Sequence, residues 1–257
     1  MSYQPKFTIT SRLLSQIDEI AVTRDKILVS KMRMPHRSTG MKGHSFTLEK
    51  VRALANGEDF PVVAERSTQD VLNYFAMRLS NERKSGRSRW THEDIFKLHR
   101  IIASRDVMGQ GAAGQYRTIP VRAGRFVPPP PQEVSRLMSE LLEWWNTNGP
   151  EMPVVLTSAI VHYRISAIHP FPDGNGRLGR ALGLWELHRS GFDGRHILPL
   201  NERYWGERRH YYAALRAVRL RREDLTGWLE YSAEGLRLTL ERTWMRAQQH
   251  SRIGGCH

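Results

Sequence analysis

The chain has 257 residues, of which 40% are hydrophobic and 25% charged, and it carries a net charge of +13 with a pI near 10.3. These values exclude an intrinsically disordered chain and allow one large domain or two small ones with a buried core. No apolar stretch approaches the ~20 residues of a membrane-spanning helix, and we expect no secretory signal. The single cysteine, Cys256, excludes a disulfide framework and favours a cytoplasmic location.

The N-terminal region, residues 1–90, is predicted to be helical. Its first apolar residues recur at helical spacing: Leu13, Leu14, Ile17, Ile20 and Ala21. A polar break that contains two glycines follows over residues 36–45. Two more helices are predicted, one from Thr47 to near Gly57 and one over residues 68–82.

The core, residues 91–245, is predicted to be a helical bundle with one interruption. Thr91 precedes a predicted helix over 92–103, and alternating side chains with a proline run predict a short β-hairpin within 114–131. Helical spacing then returns in four segments: from Val134 to Leu142, and over residues 154–168, 181–189 and about 208–247. The fold class is therefore all-α with one small hairpin, followed by a polar tail over residues 246–257.

A twelve-residue motif, HPFPDGNGRLGR at residues 169–180, combines residue types that a core helix does not use. Pro170 and Pro172 oppose helix continuation, so the preceding helix is predicted to end near the motif's histidine. The Asp-Gly-Asn-Gly stretch at 173–176 favours a turn, and helical spacing resumes from Arg177. The motif therefore predicts a helix end, a tight glycine loop and a new helix N-terminus.

This arrangement has the chemistry of a phosphate site. Glycine-loop N–H groups at a helix N-terminus bind anions, and Arg177 and Arg180 can reach successive phosphates. Asp173 is placed to hold Mg²⁺, which binds through one or two carboxylates plus substrate phosphates. His169, whose type titrates near neutral pH, can accept a proton from an attacking hydroxyl.

Each part of the motif also has a structural interpretation. A histidine at a helix end, an Asp-Gly-Asn-Gly turn and a pair of solvated arginines are all common without any function. Their combination in a proline-flanked loop between two apolar helices favours a functional site. The sequence lacks a Walker Gly-Lys-Ser/Thr loop, the His/Cys spacing of a zinc site and a Gly-x-Ser-x-Gly nucleophile elbow.

The motif matches without gaps the His-Pro-Phe-x-Asp/Glu-Gly-Asn-Gly-Arg-x-x-Arg signature of the Fic (filamentation induced by cAMP) family, which the chain resembles over roughly residues 7–245. GQYR and FVPPPPQEVSRLM resemble the family's flap hairpin and the helix after it. RRHYYAALRAV, DLTGWLEYSAEGL and SFTLEKVRAL resemble other helices of the family. The resemblance implies a Fic fold that transfers AMP from ATP to a Ser, Thr or Tyr hydroxyl of a target protein and releases pyrophosphate.

Carried over by position, the resemblance makes His169 the general base and Asp173 the Mg²⁺ ligand. It places an anion hole at residues 174–176, with Arg177 on the β-phosphate and Arg180 on the γ-phosphate. It implies nucleotide or phosphate contacts along the motif: Asp173, Gly174, Asn175, Gly176, Arg177, Leu178, Gly179 and Arg180.

The resemblance also implies contacts outside the motif. The flap at Ala123, Gly124, Arg125 and Phe126 would close over the nucleotide and pair with a target segment through its main chain. Tyr211 and Tyr212 match an aromatic pair beside the base, with core packing as their alternative role. Some relatives carry an asparagine where this chain has Arg219, which leaves the adenine preference open.

Many relatives inhibit themselves through a Ser/Thr-x-x-x-Glu-Gly/Asn helix whose glutamate pairs with the second motif arginine. The corresponding segment here, residues 38–43, has Lys42 in place of that glutamate. We hypothesise that this inhibition is lost, with the chain constitutively active or restrained by a separate partner. A Lys42→Glu substitution should then lower ATP-dependent self-labelling, and unchanged or increased labelling would contradict the hypothesis.

Two alternative functions remain open from the sequence. A protein of the same fold could transfer another nucleotide or a phosphate-containing group. A basic nucleic-acid-binding regulator is the alternative from a different class, favoured by the net charge and the run RAVRLRR at 216–222. No helix-turn-helix or zinc-finger signature supports the second alternative.

Overall fold

The computed structural model describes residues 3–32, 89–103, 113–192, 200, 203–204 and 207–253. These ranges contain seven long helices: α1 Ser11–Met32, α2 His92–Ala103, α3 Pro131–Thr147, α4 Val154–Ile168, α5 Asn175–Arg189, α6 Arg208–Leu220 and α7 Thr226–Ile253. The predicted all-α class is confirmed. α7 continues to Ile253, so most of the predicted tail is helical. The predicted helices near Thr47 and over 68–82, and the segment with Lys42, lie outside the described residues.

The helices α4 and α5 form an antiparallel pair at the centre of the bundle. A Cβ atom at Gly179 would lie 3.0 Å from the His162 carbonyl oxygen, and one at Gly183 would lie 3.1 Å from that of Ser158. Only glycine allows such a close approach of two backbones. The Ser158 hydroxyl also donates to the Gly183 carbonyl at 2.8 Å. Close backbone packing therefore sets the spacing of this pair.

Helix α3 packs on α4 through the face that the sequence predicts: Val134, Met138, Leu141 and Leu142 are buried, and Leu137 is partly buried. Trp145 stacks on Trp90 with ring centroids 4.8 Å apart, and its indole N–H donates to Glu186 on α5 at 2.8 Å. This buried carboxylate also pairs with Arg189 at 2.7 Å. Helices α3 and α5 are thus joined by aromatic packing and one satisfied polar cluster.

Helix α1 packs along α7. Leu13, Ile20 and Ile27 recur every seven residues and are buried against it, whereas Leu14 is 52% exposed. A heptad spacing keeps one narrow stripe facing the partner helix, and Leu14 lies outside that stripe. Arg237 of α7 adds an ion pair to the α1 side at 3.3 Å.

The predicted hairpin is reduced to a single antiparallel bridge between Ala123 and Phe126. Each N–H of this pair donates to the other's carbonyl, at 3.0 and 3.1 Å. Gly124 has φ +62° at the first turn position, as type II′ turns require. The ladder does not extend because Pro120 and Pro128 have no N–H to donate.

Within the described ranges, no helix combines the length and the apolar character that crossing a bilayer needs.

Candidate active site

His169 forms the C-terminal cap of α4 in a left-handed conformation, with φ 52° and ψ 58°. Its N–H still donates to the Ile165 carbonyl at 2.9 Å, so the helix is closed before the chain turns. A non-glycine residue in this region costs roughly 1–2 kcal/mol, and histidine is among the residues that tolerate it. The prolines on either side of Phe171 explain why the helix ends here, as the sequence predicts.

The His169 imidazole is oriented for proton transfer. Its Nδ1 lies 3.4 Å from the Ser166 carbonyl, to which only a protonated nitrogen can donate, so Nε2 keeps its lone pair. Burial is the largest cause that lowers the pKa of His169. The hydrogen bond to the Ser166 carbonyl and the charge of Asp173 raise this pKa, the cations Arg117 and Arg219 lower it, and the net shift is downward. The ring is therefore neutral at neutral pH, the form that a general base requires.

The loop after His169 is closed by the Asn175 side chain. Its Oδ1 accepts from the Phe171 N–H at 2.9 Å and its Nδ2 donates to the Phe171 carbonyl at 2.8 Å. Because this side chain completes the turn, α5 begins at Asn175, two positions before the predicted Arg177. Asn175 is buried, so its amide is used inside the loop and only its backbone N–H can face an anion.

His99 of α2 supports the same loop from below. The Gly114 N–H donates to its Nδ1 at 3.0 Å, so its Nε2 carries the proton and donates to the Asp173 carbonyl at 3.0 Å. The ring stacks on Phe171 with centroids 3.6 Å apart. Gly174 has φ +76°, and a Cβ there would lie 3.3 Å from the His99 ring. This histidine holds the loop in place.

The N-terminus of α5 has backbone geometry that suits an anion. Its first helical hydrogen bond runs from the Leu178 N–H to the Gly174 carbonyl at 2.9 Å. The N–H groups of Asn175 and Gly176 precede it and have no acceptor within the helix. At this end of the helix the dipole favours negative charge. The backbone geometry therefore suits a phosphate.

The two motif arginines lie beside this N-terminus. One Arg177 nitrogen donates to the Ile102 carbonyl at 3.2 Å and another lies 3.5 Å from the Asp173 carboxylate. A Cβ on Gly176 would lie 3.5 Å from an Arg180 nitrogen, so this guanidinium lies against the first turn. The structure brings both arginines, Asp173 and the free N–H groups together.

Two motif positions have packing roles. The Leu178 side chain is fully buried in the core, and its N–H is bonded to the Gly174 carbonyl. Gly179 faces α4, where its missing side chain permits close helix packing. The contact of these two residues with phosphate stays a prediction.

Tyr211 and Tyr212 have different surroundings although they are adjacent. Tyr211 is buried, with its hydroxyl 3.0 Å from Nε2 of His162 and hydrogen-bonded to Arg180. Tyr212 is 53% exposed, and the two ring centroids lie 5.1 Å apart. Of these two tyrosines, Tyr211 is the one that connects the core to the motif residue Arg180.

The flap turn lies beside His169. The centroids of the Phe126 and His169 rings are 6.3 Å apart, and the Arg219 guanidinium carbon lies over the Phe126 ring, 3.8 Å from its centroid. Ala123, Gly124 and Arg125 are exposed. The structure thus brings the flap, Arg219 and His169 together, which the sequence could not establish for Arg219.

The donor set fits a magnesium ion better than a protein-enclosed metal. The described residues contain no group of three His, Cys, Asp or Glu side chains that could hold a metal ion. Asp173 is a single carboxylate with 63% of its side chain exposed, next to the N-terminus of α5. Mg²⁺ commonly binds through so few protein ligands when substrate phosphates and water supply the rest.

Two residues of the site were missed by the sequence analysis. His99 lies on the apolar face of α2 with Ile95, Leu98 and Ile102, where a histidine signals a buried hydrogen-bonding role. Arg117 ends the GQYR stretch and is buried beneath the flap. No local pattern distinguishes such an arginine from an exposed one.

A model of the Fic/DOC family matches residues 89–187, the stretch that runs from α2 through the flap and the loop into α5. This stretch of the chain is a domain of that family. Its structure is similar to the crystal structure of a Fic family protein from Desulfovibrio desulfuricans G20, with a TM-score of 0.67 and 25% identity over 94% of this chain and 76% of that chain. Fic-1 from C. elegans (residues 134–508) has a TM-score of 0.62 at 21% identity, covering 93% and 73%, which shows the fold alone.

Curated relatives share the sequence over most of this chain. Protein adenylyltransferase fic-1 of Caenorhabditis briggsae is 31% identical over 215 residues, which are 80% of this chain and 40% of that protein. Protein adenylyltransferase Fic of Drosophila ananassae is 30% identical over 162 residues, 61% of this chain and 32% of that protein. The chain spans less than half the length of these relatives.

Proposed function

We propose that the protein is an adenylyltransferase that moves AMP from ATP to a hydroxyl side chain of a target protein. The observation that carries the proposal is a neutral His169 held at the end of α4, next to the anion-binding N-terminus of α5. The relatives named protein adenylyltransferase support the same reaction. Positioning and charge stabilisation are the main requirements of phosphoryl chemistry, and this site has both.

In the proposed reaction the target hydroxyl oxygen attacks the α-phosphorus of ATP. Nε2 of His169 accepts the hydroxyl proton as the new O–P bond forms. The bond between the α-phosphorus and the bridging oxygen breaks, and pyrophosphate leaves with its electron pair. The products are a phosphodiester-linked AMP on the target and pyrophosphate.

The phosphates would lie on the first turn of α5. The N–H groups of Asn175 and Gly176 would donate to phosphate oxygens, and Arg177 and Arg180 would pair with the outer phosphates. Asp173 would hold Mg²⁺, and the positive charge of the bound ion would offset the negative charge of the phosphates. The target would approach along the exposed flap at residues 123–126.

The test uses ATP labelled at either the α- or the γ-phosphate, with a cell lysate as the source of targets. Protein-bound label is expected from the α position alone, and His169→Ala should abolish it. Retention of the γ label would instead indicate transfer of the terminal phosphate. Absence of label from both positions would contradict the proposed function.

A further inference from the structure

Arg117 is the one buried arginine among the described residues, with 3% of its surface exposed. Its guanidinium donates to four backbone carbonyls and, within the described part of the chain, to no carboxylate. Nε donates to the His169 carbonyl at 2.8 Å, and the terminal nitrogens donate to Pro129, Ile119 and Ile168. A buried charge is tolerated only when hydrogen bonds satisfy it. The four carbonyls therefore stabilise the buried guanidinium, which in turn fixes their positions.

Two of these carbonyls, those of Ile168 and His169, are at the end of α4. The last carbonyls of a helix have no partner within it and carry the negative end of its dipole. Arg117 satisfies both with a positive charge at that end. The His169 carbonyl belongs to the residue in the left-handed conformation, so the same contact holds the backbone turn that orients the imidazole.

The other two carbonyls belong to the two legs of the flap. Ile119 lies before the flap turn and Pro129 lies after it. The Arg117 guanidinium donates to the carbonyls of both residues. The Arg117 N–H also donates to the Pro170 carbonyl at 2.9 Å. One residue therefore joins the entry of the flap, its exit and the start of the catalytic loop.

We propose that Arg117 is a positioning residue that holds the flap turn at a fixed distance from His169, so that a hydroxyl presented by the flap meets the base. The proposal rests on the proposed transfer function, because it assigns to the flap the role of presenting the target. Arg117 lies beneath the flap and its guanidinium contacts backbone carbonyls, so it would act through the flap and His169 rather than on the reacting atoms.

The charge of Arg117 provides a readout that a merely structural role would not move. The charged side chains that act on His169 are Arg117, Arg219 and Asp173, and Phe126 covers the ring from the flap. Removing the Arg117 cation should raise the pKa of His169, since that cation disfavours the imidazolium. The acid limb of the rate profile should then shift to higher pH, because the base must be neutral to act.

The experiment compares Arg117→Lys, which keeps the charge, with Arg117→Gln, which removes it. The control is Arg136→Gln on the exposed surface of α3, where Arg136 pairs with Glu133 and Glu140. Self-labelling from α-labelled ATP is measured against pH, and ATP affinity is measured by calorimetry. Both Arg117 variants should lose about 10- to 100-fold in rate, as small misplacements of reacting groups do, with ATP affinity nearly unchanged. Only Arg117→Gln should shift the acid limb.

A folded Arg117 variant with the wild-type rate, or a parallel loss of rate and ATP affinity, would overturn the proposal. Hydrogen exchange keeps the test independent of activity: the Ala123 and Phe126 amides should exchange faster in both variants and not in the control. If the wild type transfers no AMP, the proposed function fails. The positioning role is rejected separately, if the Ala123 and Phe126 amides exchange as slowly in the Arg117 variants as in the wild type. Should both variants fail to fold, the wild-type Arg117 Nε–H must exchange slowly, and rapid exchange would contradict the proposal.

Discussion

The middle and the end of α4 each carry a histidine, seven residues apart, and the two have opposite uses. His162 lies in the middle, fully enclosed by aromatic rings of α6 and α7, and burial together with the nearby Arg180 lowers its pKa to about 3. His169 caps the end, is half-buried, and has a pKa lowered to a smaller extent by the same main cause.

The comparison of His162 with His169 shows how burial decides whether a histidine can act as a base. A histidine whose pKa lies far below neutral is a poor proton acceptor, since the best catalytic base titrates near the working pH. His162 is therefore suited to hold Tyr211 in place, and His169 to take a proton. Identical side chains on one helix acquire separate roles mainly through their different degrees of burial.

The largest effect is expected at the end of the helix. His169→Asn should lower AMP transfer by about 10²- to 10⁴-fold, the usual contribution of a general base, because asparagine tolerates the left-handed conformation but cannot accept the proton. Transfer of label from α-labelled ATP measures the rate, and the thermal midpoint should stay close to that of the wild type. Retention of a tenth of the rate would show that His169 is not the base.

The loop at that end is expected to depend on Asn175. Asn175→Ala leaves the buried N–H and carbonyl of Phe171 without partners, which should cost about 1–3 kcal/mol in the free energy of unfolding. Denaturant unfolding measures this loss, and ATP affinity should fall with it because the N-terminus of α5 is displaced. Wild-type stability in this variant would mean that the Asn175 bridge does not hold the loop.

The middle of the helix should control stability against pH. His162 is neutral when folded and has a far lower pKa than an unfolded histidine, so below about pH 6.5 the unfolded chain binds more protons. Stability should therefore fall as the pH is lowered, by at most about 1.4 kcal/mol per pH unit from this group. His162→Gln should make the decline shallower in urea unfolding at pH 7, 6 and 5. Parallel declines in the two proteins would contradict the assignment.

The smallest effect is expected at the flap contact of Arg219. Arg219→Gln removes the cation over Phe126, a contact of about 0.5–1 kcal/mol that corresponds to a two- to five-fold loss in kcat/KM. It also removes a cation that lowers the pKa of His169, so the acid limb should move to higher pH. An Arg242→Gln control on α7 should change neither kcat/KM nor the position of the acid limb. If the acid limb does not move in Arg219→Gln, Arg219 does not influence the pKa of His169.

The end of α4 was predictable from the sequence because prolines act locally. Pro170 ends the helix through its own ring, and the apolar spacing of α3 shows directly which of its faces is buried. The start of α5 was not, since Asn175 caps the turn only once Phe171 has folded back to it. Local residue preferences predict the loop. The contact between Asn175 and Phe171 in the folded loop determines where α5 begins.

The remaining differences between the sequence prediction and the structure have three separate causes. Arg117 is buried because the flap returns past Pro129, which no local pattern describes. Tyr212 points away from Tyr211 because adjacent residues differ by about 100° around a helix. The hairpin is short because its flanking prolines lack donors, a limit that the sequence itself contained.

Gly183 lies outside the twelve-residue motif, yet it decides how far α5 stands from α4. Any larger residue there would meet the Ser158 carbonyl and the Cβ of His162. Because α5 carries Arg177 and Arg180 while α4 ends at His169, such a change would move the helix proposed to bind phosphate away from the proposed base, with every residue of the motif unchanged. A search for inactive members of this fold by motif alone would count such a protein as competent.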